Sequence, residues 1–230
     1  LLIFTNRGKV YQLKVHELPD AGRTAKGMPI VNLISMQPNE TVTAVQPVHS
    51  FSEASYLFFI TRNGRVKRTS LDQFASVRAS GLIALSLDDD DELAWVRMTS
   101  GNDDMILITR NAQSIRFKED DVRSMGRQAA GVIGIRMDEG DYVVAADVIH
   151  EGNREHALLT ISTSGLGKRT KLSEFRVQGR GGSGIIAMKL SNDSKVAGAA
   201  VVHDQHDIVL ISTAGVVIRT KTDQISTVGR

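Results

Sequence analysis

Short apolar runs broken by tight polar turns recur along the chain at a nearly constant interval. Five segments share one pattern, an apolar strand, a polar turn and a second strand: residues 2–10, 59–68, 107–116, 160–169 and 210–219. The turn residues are Gly8, Gly64, Ala112, Gly165 and Gly215, spaced 56, 48, 53 and 50 apart. Asn63-Gly64 is a strong hairpin signal because both residue types accept a positive φ. Ala112 breaks the glycine pattern, so its turn is expected to differ in type or to be strained.

A second landmark follows each hairpin. Gly27, Gly81, Gly131 and Gly184 open further β-rich runs (27–33, 81–85, 131–135, 184–188), preceded by Arg23, Arg78, Arg127 and Arg180. Arg230 fills the same slot at the last residue. A fourth strand follows an acidic turn, as in 92–96 and 142–146. No helical periodicity is sustained. The pattern predicts an all-β, propeller-like domain over 1–230, built of four-stranded repeats of ~50 residues. The repeats fall at about 1–50, 51–100, 101–150, 151–203 and 204–230, five visible and the last incomplete. One such unit cannot bury both its faces, so neighbours must stack.

Composition changes this picture little. Cysteine is absent, which excludes disulfides and thiolate metal sites and suits a reducing cytoplasm. No apolar run reaches the ~18 residues that span a bilayer, so no membrane partner is expected. The chain opens on Leu1-Leu2-Ile3-Phe4, within a strand-like run, and is expected to be part of a longer protein.

Charge changes it more. The net charge is only +2. Yet the stretches from hairpin turn to second glycine (5–27, 61–81, 109–131, 162–184, 212–230) hold 23 of the 28 Lys and Arg and 8 of the 26 acids, a net of +15. The other 121 residues carry −13. Solubility explains charge but not this sorting by sign. Equivalent positions of a repeat array fall on one side, so the sorting predicts a basic band fitted to a bent polyanion. The residues expected to hold double-stranded DNA are Lys9, Arg23, Arg65, Lys67, Arg68, Arg116, Lys118, Arg127, Lys168, Arg169, Lys171, Arg180, Arg219 and Lys221. Aromatic residues are scarce among them, which disfavours single-stranded recognition by stacking.

Other motifs carry less. Residues 179–184 spell G-x-G-x-x-G, but a strand-like run follows where dinucleotide binding needs a helix. Gly167-Lys168-Arg169 lacks the Ser or Thr of a P-loop. His49, His150 and His203 close corresponding strands and read as structural positions; His203-x-x-His206 lacks an evident third ligand. The aspartate run 88–91 reads as a solvated turn. No nucleophile context or other catalytic constellation is present, and no cofactor or metal is expected in this segment.

Residues 7–14, 27–33, 99–103, 116–119, 122–126 and 165–170 together resemble the C-terminal domain of the bacterial DNA gyrase A protein. The resemblance implies a six-bladed β-pinwheel whose blades exchange strands and whose rim wraps DNA. It implies a heterotetramer with the gyrase B protein, in which ATP and Mg2+ serve the holoenzyme and wrapping supports negative supercoiling. The family's hallmark, Q-[RK]-R-G-G-[RK]-G, is matched in weakened form by Gln178, Gly179, Arg180, Gly181, Gly182, Ser183 and Gly184, with Gly179 and Ser183 in place of basic residues. The resemblance carries DNA contact to Arg180 and a backbone role to the glycines. It carries no catalytic role to Tyr11, Tyr56 or Tyr142. The rivals are the corresponding domain of topoisomerase IV, which has the same blade design, and a protein-binding propeller of WD-repeat or kelch type, whose signatures are missing.

Overall fold

A computed structural model describes residues 1–52, 55–153, 155–191 and 193–230. The strands follow the repeat. The first repeat carries β1 (Leu2–Thr5), β2 (Lys9–Gln12) and β3 (Val42–Gln46), and the second β4 (Tyr56–Thr61), β5 (Arg65–Ser70), β6 (Leu82–Ile83) and β7 (Leu93–Thr99). The third carries β8 (Asp104–Thr109), β9 (Gln113–Lys118), β10 (Val132–Ile133) and β11 (Val143–Ile149). The fourth carries β12 (Ala157–Ser162), β13 (Gly167–Lys171), β14 (Ile185–Ile186) and β15 (Val196–Val202), and the fifth β16 (Asp207–Ile211) and β17 (Val217–Lys221). Short 3-10 turns follow the hairpins, for example Leu71–Phe74 and Leu172–Glu174.

Two compact units result, residues 1–101 with 122–133, and residues 102–121 with 134–230. The first holds the antiparallel sheets β3-β1-β2-β6 and β10-β5-β4-β7. The second holds β11-β8-β9-β14, the three-stranded β13-β12-β15 and the pair β16-β17. Each completed sheet borrows its outer strand from the next repeat: β6 pairs with β2, β10 with β5 and β14 with β9. A borrowed strand is two residues long, so it closes the sheet without presenting a long edge.

The strand pattern dictates the cores. In β4 and β8, residues that are apolar on both faces are buried throughout, because each sheet packs on both sides. In the first unit Phe4 packs edge to face on Phe59 and Phe74, with Phe4–Phe59 ring centroids 5.6 Å apart at 79°. In the second, Ile106, Ile108, Leu158, Leu172, Phe175 and Val196 pack together.

Two expectations are corrected here, those for residues 27–33 and for the aspartate run, while of the two outcomes expected for Ala112 it is strain that is found. Residues 27–33 form no strand; Ile30–Asn32 is an exposed 3-10 turn started by Pro29. The equivalent runs pair with the preceding repeat's hairpin, and among the described residues 27–33 has none to pair with. Ala112 keeps the turn of its glycine counterparts at φ +67°, with its methyl buried in the second unit's core. Left-handed geometry costs a non-glycine residue about 1 kcal/mol, and burial of the methyl offsets much of it. The aspartate run is only partly solvated. Asp91 is buried and accepts hydrogen bonds from the Asn63 and Glu92 amides at 2.9 and 2.8 Å, latching the hairpin turn. Asp141 does the same for Asn111 and Tyr142.

Candidate nucleic-acid interface

The strand after each hairpin turn carries most of the expected DNA contacts, and alternation along it separates them into columns. Backbone bridges set the register. Arg68, Arg116 and Arg169 each bridge in parallel to the next repeat, at Ser124, Val177 and Thr227. These three arginines, with Arg219, therefore occupy one repeat position. Two residues on, Lys118, Lys171 and Lys221 occupy another.

The arginine column is structural in three of its four members. Arg116 is buried, gives Nε and Nη2 to Asp104 at 2.9 and 2.6 Å, and gives Nη1 to the Leu172 and Phe175 carbonyls at 3.0 and 3.4 Å. Arg169 is buried, donates Nε to the Ile225 carbonyl at 2.8 Å and pairs with Asp204. Arg68 is buried with its guanidinium 4.6 Å over the Tyr56 ring. A guanidinium has five fixed donors, which lets one side chain clamp a neighbouring repeat's turn. Arg219 is exposed and paired with Asp207, whose carboxyl it holds below the usual carboxylate range.

One residue earlier the position is also internal. Lys67 is fully buried, with Nζ on the Ala84, Gly126 and Arg127 carbonyls and 5.0 Å from the Phe59 ring centroid. Burial, helped by the Arg127 guanidinium, pushes its ammonium down to about 7. Lys168 is half-buried, donates to the Gly229 carbonyl, and is lowered by burial in the same direction. Lys67, Arg68, Arg116 and Arg169 are thus corrected from DNA contacts to struts within and between repeats, since their cations face protein acceptors or rings away from solvent.

The remaining expected residues reach solvent. Arg23, Lys118, Lys171, Arg180 and Lys221 are exposed; Lys9, Arg65 and Arg127 are half-buried. Arg65 rests on the Ala130 and Gly131 carbonyls, with Asp88 at 3.7 Å. Lys9 lies near Glu40, a carboxylate lowered against its burial by hydrogen bonds from the Gln37 amide, Thr5 and Tyr11 and by the Lys9 charge. Lys14 was missed. It is exposed and stands two residues after Gln12, the first repeat's counterpart of Arg68, so counting two residues on from the arginine column would have found it.

The glycine-rich loop 178–184 is braced on both sides. The Gln178 amide donates to the Arg116 carbonyl at 2.9 Å, Gly181 to Gly134 at 2.7 Å, and Gly182 accepts from Arg136 at 2.9 Å. Arg180 donates Nε to the Asp121 carbonyl at 3.0 Å and stays exposed. Gly184 has φ +76°, and a Cβ there would sit 2.2 Å from the Ser114 carbonyl oxygen, so only glycine fits. Gly179 and Ser183 are exposed, and the buried Gln178 Nε2 has no hydrogen-bond partner.

Four of the histidines, His150, His156, His203 and His206, line one cleft. The His203 and His206 rings are tilted by 46° with centroids 3.6 Å apart, the His156 ring lies 5.3 Å from His203, and His150 Nδ1 lies 3.0 Å from Asp103. Among the described residues, no group of three or more His, Cys, Asp or Glu is placed to hold a metal.

Comparison with known proteins fits this geometry. The chain matches the family described as DNA gyrase C-terminal domain, beta-propeller, over residues 1–49, 55–100, 103–150, 156–203 and 206–230. It is 43% identical over 231 residues to the DNA gyrase A protein of Lawsonia intracellularis, covering 100% of this chain and 28% of that protein. It superposes on a crystal structure of the C-terminal domain of DNA topoisomerase IV with a TM-score of 0.90, at 30% identity, covering 100% of this chain and 73% of that one. A structure of a DNA gyrase A C-terminal domain gives 0.84 at 25% identity, covering 99% and 74%. The chain thus spans little more than a quarter of its full-length relative, and it belongs to the DNA gyrase C-terminal domain family.

Proposed function

We propose that this chain binds duplex DNA along its exposed basic positions and wraps it, in support of negative supercoiling by an ATP-driven type II topoisomerase of the bacterial cytoplasm. The observation that carries the reading is the exposed lysine column, Lys118, Lys171 and Lys221, with exposed Arg180 on the braced loop. A repeat that returns a cation to one register position offers evenly spaced phosphate contacts without base readout. Scarce exposed aromatics favour a duplex over a single strand. Bond cleavage and ATP hydrolysis belong, in this reading, to other parts of the holoenzyme, with the gyrase B protein as the partner.

The test is topological. The chain is bound to nicked circular DNA at low salt, the nick is sealed, and the linking number is read. A shift of constant sign that grows with protein supports chiral wrapping, and no shift refutes it. A second reading, the corresponding domain of topoisomerase IV, is favoured by the TM-score of 0.90 and disfavoured by 43% identity to a gyrase A protein. Duplex binding without a linking-number shift would select it.

A further inference from the structure

The borrowed outer strands share a feature that the charge pattern does not explain. Each is two residues long, and its second residue is an exposed isoleucine: Ile83 at 49%, Ile133 at 46% and Ile186 at 55%. A single exposed isoleucine is ordinary. The same exposure at the same register position in three repeats is a pattern.

The register says what each isoleucine stands beside. Directly opposed residues of an antiparallel pair project to the same face. In the first unit Ile83 opposes Lys9 and Ile133 opposes Arg65, while their neighbours Leu82 and Val132 oppose the core residues Val10 and Val66. In the second unit Ile186 opposes Gln113 and borders an open cleft of about 530 Å³ that Lys189 and Arg230 also line. Each apolar side chain is therefore exposed next to cations, two of which have an acid close by, Asp88 near Arg65 and Glu40 near Lys9.

We propose that Ile83, Ile133 and Ile186 are apolar contact points for duplex DNA, packing on deoxyribose edges while the neighbouring cations hold the flanking phosphates. This rests on the DNA-binding reading and deepens it. A polyanion alone would need only the cations. A duplex also offers apolar sugar edges between phosphates, and contact with them adds affinity that salt does not screen.

The test compares the chain with an Ile83→Thr/Ile133→Thr double variant. Threonine keeps the β-branched shape that suits a strand. Binding to a duplex oligonucleotide is measured over a salt series, and thermal melting checks the fold. The proposal expects affinity at fixed salt to fall about tenfold, the slope of log affinity against log salt to stay unchanged, and Ile83→Val/Ile133→Val to restore most of the loss. Unchanged affinity overturns it. So does a loss that comes with a reduced slope, because the cations would then be the groups disturbed. So does a parent chain that self-associates through these residues, seen as a sedimentation shift abolished in the double variant while its DNA affinity is kept. If the parent fails to bind duplex at low salt, the DNA-binding reading itself falls, an outcome distinct from loss of the isoleucine contribution alone.

Discussion

Arg116 and Lys118 lie two residues apart on β9, and the structure buries the first and exposes the second. The perturbation that separates them is a pair of variants, Arg116→Met and Lys118→Gln/Lys171→Gln. Arg116 is 8% exposed and spends its guanidinium on Asp104 and on two carbonyls of the next repeat's turn. Removing it leaves Asp104, 16% exposed, without that cation. Breaking a buried ion pair on one side costs about 3–5 kcal/mol, and partial exposure of Asp104 puts the expectation at the low end, about 3 kcal/mol. Lys118 and Lys171 are exposed, so their loss should change stability by less than about 0.5 kcal/mol. For binding the order reverses. Each phosphate contact adds about 0.9 to the salt slope, so the double lysine variant should lose about 1.8. Between 50 and 200 mM salt its affinity should then fall about 12-fold less than the parent's. Arg116→Met should keep the parent slope wherever it is folded. The assay is fluorescence anisotropy on a labelled duplex across a salt series, with urea denaturation of each variant. A slope that drops with Arg116→Met, or fails to drop with the lysine pair, refutes the division into struts and contacts.

Three further outcomes are expected. Lys67 releases its proton near pH 7 when folded but near 10.5 when unfolded, so the unfolded state holds more protons between those values and stability rises with pH across that window. Relative to Lys67→Met, the parent should gain about 3 kcal/mol between pH 6.5 and 9.5 by urea denaturation, at up to about 1.4 kcal/mol per pH unit; parallel curves would rule out a depressed lysine. Gly184→Ala should cost at least about 3 kcal/mol, because its Cβ would meet the Ser114 carbonyl oxygen at 2.2 Å at a positive φ, and a melting temperature close to the parent's would contradict that crowding. Asp91→Ala should cost about 1–3 kcal/mol through the unlatched hairpin, whereas exposed Asp89→Asn should stay within about 0.5 kcal/mol; equal effects would return the aspartate run to a solvated turn.

The fold was legible because its signal is periodic. Hairpin turns, the later glycines and the alternation between them place the strands of each repeat, and Ala112 was visible as the exception it is, at φ +67°. Strand exchange was not legible from spacing alone, since a two-residue strand such as Leu82–Ile83 carries no mark of the hairpin it joins; the family resemblance implied it. The candidate site was half legible. Charge can be counted in a sequence, but exposure depends on what the next repeat brings. Arg116 is buried because Leu172 and Phe175 lie more than fifty residues further on, and their carbonyls meet its guanidinium. Arg219 has the same place in its repeat and stays exposed. Lys67 and Lys118 are both lysines of post-hairpin strands, yet one faces carbonyls and Phe59 and the other solvent.

Burial of cations could have erased the charge sorting on which the DNA reading depends. It does not. Among the described residues the buried charged side chains are Lys67, Arg68, Arg116 and Arg169 against Glu40, Asp91, Asp103 and Glu119. Setting these eight aside leaves the basic stretches at +12 and the rest at −10, from +15 and −13. The sequence pattern therefore serves two purposes at once. The buried members tie each repeat to the next and latch its turns, which fixes the register of the strands. The exposed members inherit that register, so Lys118 and Lys171 recur at one position because the arginine two residues earlier is clamped at Arg116 and Arg169. A basic surface built on such struts should resist loss of any one exposed lysine, each removing a single increment of salt dependence, and should fail abruptly when a strut is cut.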